Sequence, residues 1–167
     1  MKLPTFLKAN LPAHKQNLFN FGTIPELYRR KLAADGHEII DQATYHKLTN
    51  PFLKAGGIII RGDQAEKHLK ISGADASYIA GANFAFIKDE PRVSDVLEEM
   101  FHAKQDRANR FGNLEEGYKV VILREIEAQH YLMSVADKYK IPFQEREQTL
   151  KNLVMYEEAL QKYRQGS

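Results

Sequence analysis

The sequence predicts an α+β fold in which a small sheet is followed by a helical half. Three observations lead there. The first is Ile58-Ile59-Ile60, a β-branched run set off by Gly56-Gly57, with two further strand-like stretches at 77–80 and 83–87. The second is the spacing of Val93, Val96, Leu97, Met100 and Phe101, which repeats at i, i+3, i+4 and i+7 as one face of a helix. The third is order: the strand signals come first, and two long helical patterns, 117–139 and 145–163, close the chain.

Each element has its own local reason. Residues 1–25 hold Pro4, Pro12 and Pro25 among scattered apolar residues, and read as an irregular N-terminal segment or linker. Residues 26–167 read as a single domain. A short helix is expected at 25–34, ended by Asp35-Gly36. Residues 45–53 fit neither period cleanly. Asp63 is a plausible N-cap for a helix over 64–71, which Ser72-Gly73 ends. The two strand-like stretches form a hairpin across Gly81-Ala82, and Pro91 suits the first turn of the next helix. Phe111-Gly112-Asn113 marks a loop, and Ile141-Pro142 ends the long helix that begins at Gly117. In the last helix, Leu150, Leu153, Val154 and Leu160 are expected to face inward.

Composition narrows the function. The chain has 167 residues, enough for one domain with a core. With 24 Lys and Arg against 22 Asp and Glu, the net charge of +2 gives no case for a nucleic-acid surface. There is no cysteine, which excludes disulfides and thiolate metal sites. No apolar run approaches the roughly 20 residues of a membrane span, and residues 1–10 lack the apolar centre of a signal peptide.

The chemistry concentrates in two segments. Residues 95–102 read Asp-Val-Leu-Glu-Glu-Met-Phe-His, and residues 124–129 read Arg-Glu-Ile-Glu-Ala-Gln. Glu98 and His102 are four apart on a helix, so their side chains meet on one face, and Glu99 lies between them in sequence. On the second helix, Ile122, Ile126, Met133 and Ala136 define the buried face, and Glu125 and Gln129 fall on it while Glu127 lies nearer its edge. A carboxylate on a buried face is costly unless it is paired or binds a metal. Glu125 is therefore the better candidate for a third ligand.

These residues resemble the metal helix of zincins, His-Glu-x-x-His, with Glu98 in place of the first His. Glu125-x-Glu127-Ala128-Gln129 looks like the downstream Glu-x-Glu-Ala-Asp element of gluzincin peptidases, 23 residues after His102. The stretch from about Gly57 to Leu153 is similar to the zincin-like metallopeptidase toxin domains of bacterial polymorphic toxin systems. That resemblance implies a zincin-like domain hydrolysing a peptide bond through a metal-bound water. Glu98, His102 and Glu125 would be its metal ligands and Glu99 its general base. It also implies a protein or peptide substrate, an immunity protein as partner, and a secreted or delivered effector acting in a target cytoplasm. The implied metal is zinc. Two carboxylate ligands would neutralise it, and oxygen-rich ligation shifts preference toward Mn²⁺ or Ca²⁺. The second departure is Gln129, where an Asp is usual.

Other readings compete for the same residues. Glu125-x-Glu127 also resembles the Glu-x-Glu of ADP-ribosyltransferases, for which Arg61, just after the isoleucine strand, would bind NAD. Glu99-x-x-His102 and Glu127-x-x-His130 are spaced like the ligands of di-iron bundles, but the 24 residues between His102 and Glu127 leave too little chain for the extra long helix. A non-catalytic binding domain with a degenerate metal site would carry the same sequence. Lys104, Arg107 and Arg110 read as a solvated basic face.

Overall fold

The computed structural model of the chain describes residues 33–110 and 117–165. The irregular segment expected over 1–25, most of the helix expected over 25–34 and the Phe111-Gly112-Asn113 loop lie outside those residues. Within them the order is α1 (Gln42–Lys54), β1 (Ile58–Ile60), α2 (Asp63–Ser72), β2 (Ala76–Ile79), β3 (Phe84–Ile87), α3 (Val93–Arg107), α4 (Tyr118–Val135) and α5 (Phe143–Gln165). This is the α+β arrangement the sequence predicts, a small sheet and then a helical half.

The ambiguous stretch 45–53 is helical because α1 has a start that propensity alone does not reveal. Asp41 accepts the Thr44 N–H at 2.8 Å, satisfying one of the first-turn donors. Pro51 sits inside the helix, near its end. The break that follows depends on Gly57. A Cβ there would lie 2.3 Å from the buried Phe52 ring, so only glycine lets β1 leave α1 so tightly.

The sheet has the order β1-β3-β2. β1 runs parallel to β3, with Ile59 beside Ala85, and α2 lies on the connection between them. β2 pairs antiparallel with β3, with Tyr78 beside Ala85, and forms an edge of the sheet. The hairpin turns through Gly81 and Asn83, both at positive φ. Asp63 does not cap α2. Gly62, at φ 70°, holds the cap position, and Asp63 is the first helical residue, its charge beside the positive end of the helix dipole. Gly73, in the left-handed region, ends α2 as the sequence indicates.

α3 begins at Val93, two residues after Pro91, which lies just before the N-cap and not in the first turn. Arg92 is its N-cap residue, and Asp95 reaches back to accept the Arg92 N–H at 3.3 Å. Val93, Val96 and Leu97 are buried and join Phe52, Ala85, Ile87, Leu132 and Ile141 in the main core. α4 is shorter than the sequence pattern: it ends at Val135, and tight turns carry the chain to Ile141.

α5 packs along α4, where Tyr156 and Leu160 meet Ile122. Its inward face is only partly the one expected: Leu160 is buried and Leu153 half-buried, but Leu150 and Val154 turn outward. Leu150 and Val154 are 48% and 54% exposed, while Glu145, Thr149, Asn152, Tyr156 and Leu160 are buried. Of its polar members, Glu145 accepts from the Ser94 hydroxyl on α3, and Thr149 and Asn152 are bonded within the helix. Thr149 Oγ1 donates to the Glu145 carbonyl at 2.9 Å, and Gln148 Nε2 donates to Asn152 Oδ1 at 2.6 Å.

Candidate metal centre

Where α3 and α4 face each other, Glu98, His102 and Glu125 converge. One ligand atom from each lies within 4.8 Å of the others. His102 Nε2 is 3.8 Å from Glu125 Oε2 and 4.0 Å from Glu98 Oε1. The helical repeat explains the Glu98–His102 half of this cluster, since residues four apart share a face. The Glu125 half follows from the inward face of α4: Ile122, Glu125, Ala128, Gln129 and Leu132 are all buried, as the apolar spacing around them requires.

The donor set fits a divalent cation on three counts. The separations exceed a hydrogen bond but approach the edge of a tetrahedral shell, about 3.4 Å for bonds of ~2.1 Å and about 3.8 Å for bonds of ~2.3 Å. His102 Nε2 is a buried nitrogen that makes no hydrogen bond. Two carboxylates supply the charge that neutralises the ion.

Around this trio lies a set of polar contacts that hold the ligands. His102 Nδ1 is 2.8 Å from Gln105 Oε1. Gln105, almost fully buried, donates its amide to the Arg124 carbonyl at 3.0 Å and to Glu127 Oε2 at 2.8 Å. The other Glu127 oxygen accepts from Arg110 at 2.7 Å. Burial pushes the Glu127 carboxyl up, but the hydrogen bonds from Arg110 and Gln105 outweigh it and leave its pKa lowered. Gln129 donates to Glu98 Oε1 at 2.9 Å. Asp106 ties the end of α3 to the hairpin, accepting from the Tyr78 hydroxyl at 2.7 Å and from the Gly81 N–H at 2.9 Å.

Glu99 is placed differently from its neighbours. It is buried, and its Oε2 accepts the Tyr78 N–H on edge strand β2 at 2.5 Å. The trio that gathers at one point thus comprises Glu98, His102 and Glu125, and Glu99 joins the site to the sheet. Arg61 takes no part. Its guanidinium stacks over the Tyr45 ring at 4.8 Å and donates to the Lys88 and Asp89 carbonyls. Glu125 and Glu127 both lie in helix α4, not at a strand edge. His130 is exposed on α4. The basic strip is solvated as expected: Lys104, Arg107 and Arg110 are all exposed, Arg107 with its guanidinium over the Phe52 ring at 5.7 Å and Arg110 paired with Glu127.

Sequence reasoning missed Gln105, Arg110 and Asp106. Gln105 stands three residues after His102, a spacing at which helical side chains meet, and that was the available signal. For Arg110 and Asp106 the signal is tertiary only. Comparison of the chain with protein-family models, with curated proteins and with solved structures returns no match.

Proposed function

We propose that the chain is a metal-dependent hydrolase of the peptidase type, with Glu98, His102 and Glu125 holding the ion and Glu99 as general base. The observation that carries this reading is the meeting of the three side chains across α3 and α4, with the buried His102 Nε2 facing both carboxylates. The resemblance of Glu98-Glu99-x-x-His102 and Glu125-x-Glu127-Ala128-Gln129 to gluzincin elements supports the choice of reaction. A divalent cation bound there supplies Lewis acidity toward a carbonyl and lowers the pKa of water.

In this mechanism the Glu99 carboxylate takes a proton from the attacking water as the water oxygen adds to the peptide carbonyl carbon. The same carboxyl then gives the proton to the leaving amine nitrogen as the C–N bond breaks. The Tyr78 N–H holds one Glu99 oxygen during both transfers. Edge strand β2 lies beside this carboxylate. Under this reading the chain acts as an effector on a protein or peptide in a target cytoplasm and is held in check by an immunity protein.

A second reading is favoured by one specific observation. Glu99 is buried against β2 and is not among the converging trio. A non-catalytic metal-binding module would use Glu99 in that way, as a tie between helix and sheet. The ADP-ribosyltransferase alternative draws no such support, because Arg61 and the Glu125/Glu127 pair lie in different surroundings.

The test is metal content and activity together. Purified protein loaded with zinc or manganese and then dialysed is expected to retain about one ion per chain, and the His102→Ala variant none. Cleavage of a peptide library by the loaded protein, abolished in Glu99→Gln, supports the hydrolase. One retained ion without cleavage favours the binding module, and no retained ion in the wild type rejects both.

A further inference from the structure

We propose that Gln105 is a positioning residue that fixes the tautomer of His102, so that Nδ1 carries the proton and Nε2 turns its lone pair toward Glu98 and Glu125. This rests on the metal-centre reading above and extends it beyond the three ligands.

The orientation of the Gln105 amide is decided by its partners. Its nitrogen lies 3.0 Å from the Arg124 carbonyl oxygen and 2.8 Å from Glu127 Oε2. A carbonyl oxygen can only accept, and Glu127, whose other oxygen takes the Arg110 guanidinium at 2.7 Å, is an acceptor too. Exchanging the oxygen and nitrogen of the amide would set an oxygen against both. The two amide hydrogens are therefore spent on these acceptors, and Oε1 is the atom that faces His102 at 2.8 Å. An amide oxygen has no hydrogen to give, so His102 Nδ1 must donate. Nε2, on the far side of the ring, is left facing Glu125 and Glu98.

The constraint is anchored outside the site. Arg110 holds the other Glu127 oxygen at 2.7 Å, so the order of donation runs from Arg110 to Glu127, with Gln105 donating to Glu127 and accepting from His102. The choice of an amide at 105 follows from this. A carboxylate there would also accept from Nδ1–H, but it would face the Glu127 carboxylate and the Arg124 carbonyl with no hydrogen to offer either. Outer partners of this kind orient an imidazole ligand, and their loss typically weakens metal affinity 10–100-fold.

The experiment uses the full chain as wild type, Gln105→Met, Gln105→Glu and the reciprocal double variant Gln105→Glu/Glu127→Gln. Zinc affinity is measured by competition with a chromophoric chelator. The His102 ring nitrogens are read by long-range ¹H–¹⁵N correlation, assigned by their loss in His102→Ala, and far-UV circular dichroism checks the fold. With the fold intact, Gln105→Met is expected to bind zinc 10–100-fold more weakly and to lose the hydrogen-bonded Nδ1–H signal. Gln105→Glu should also bind weakly. The double variant, which exchanges donor and acceptor between the two positions, should recover most of the affinity; a merely space-filling role for Gln105 would give no such rescue. Zinc bound through Nδ1, or wild-type affinity in Gln105→Met, would overturn the assignment. Should the wild type bind no zinc, the metal-centre reading falls. The Gln105 assignment is then judged in the metal-free protein: an Nδ1–H signal present in wild type and lost in Gln105→Met upholds it, and its absence in wild type refutes it.

Discussion

Gln129 on α4 donates its side-chain amide to Glu98 on α3, nitrogen to oxygen 2.9 Å. Under the function proposed above, these are the two positions at which the sequence differs from the gluzincin elements it resembles, where a His and an Asp are usual. In this protein the two departures meet. A His asks its neighbour for an acceptor; a carboxylate ligand asks for a donor, and an amide supplies one. The pair is therefore expected to behave as one unit. Gln129→Asp alone sets two carboxylates together and should weaken metal binding by 10–100-fold. Glu98→His with Gln129→Asp should lose less than the two single changes combined. A double-mutant cycle of metal affinities checks this, and strict additivity would dissolve the link.

Glu99→Gln preserves shape and can still accept the Tyr78 N–H through its amide oxygen. Metal affinity should stay near that of the wild type, while peptide cleavage falls by roughly 10²–10⁴. Equal cleavage by the variant would remove Glu99 from the mechanism.

The buried Glu145 gives the fold a pH dependence. Burial pushes its carboxyl up to about 7; the Ser94 hydroxyl and Arg92 oppose the shift, and Asp95 and Glu38 add to it. Because the folded value lies above the ordinary glutamate value near 4.5, the native state binds this proton more tightly than the unfolded chain. Its stabilising effect is complete below pH 4.5 and is lost as pH rises to about 7. Asp75, raised to about 6 mainly by burial, acts in the same direction. Glu145→Gln keeps an acceptor for Ser94 and never ionises. Relative to wild type it should gain stability between those pH limits, by up to about 3 kcal/mol. Urea unfolding at pH 4.5 and pH 8 measures the difference, and equal relative stability at both would refute the assignment.

Gly57→Ala should destabilise the fold by about 1–3 kcal/mol, since the new Cβ enters the Phe52 ring and the core must shift. Thermal unfolding is the measurement. The double change Gly57→Ala/Phe52→Leu should recover part of the loss if the clash is its cause.

What the sequence determined by itself is what local spacing can encode. The isoleucine strand follows from a β-branched run after Gly56-Gly57, the α+β order from the order of such signals along the chain, and the shared face of Glu98 and His102 from the 3.6-residue helical period. Glu125 and Gln129 were legible too, because the apolar residues around them mark a buried face. Tertiary structure alone decided the rest. α5 turns Leu150 and Val154 outward because its packing on α4 is settled by Tyr156 and Leu160, with Thr149 and Asn152 bonded within their own helix. Helical spacing ranks faces by hydrophobicity, but a neighbouring helix selects the face that fits. The Gln105–Glu127 and Gln129–Glu98 contacts likewise span 22 and 31 residues. Such separations carry no periodic signal, and these partners become neighbours only where α3 and α4 cross.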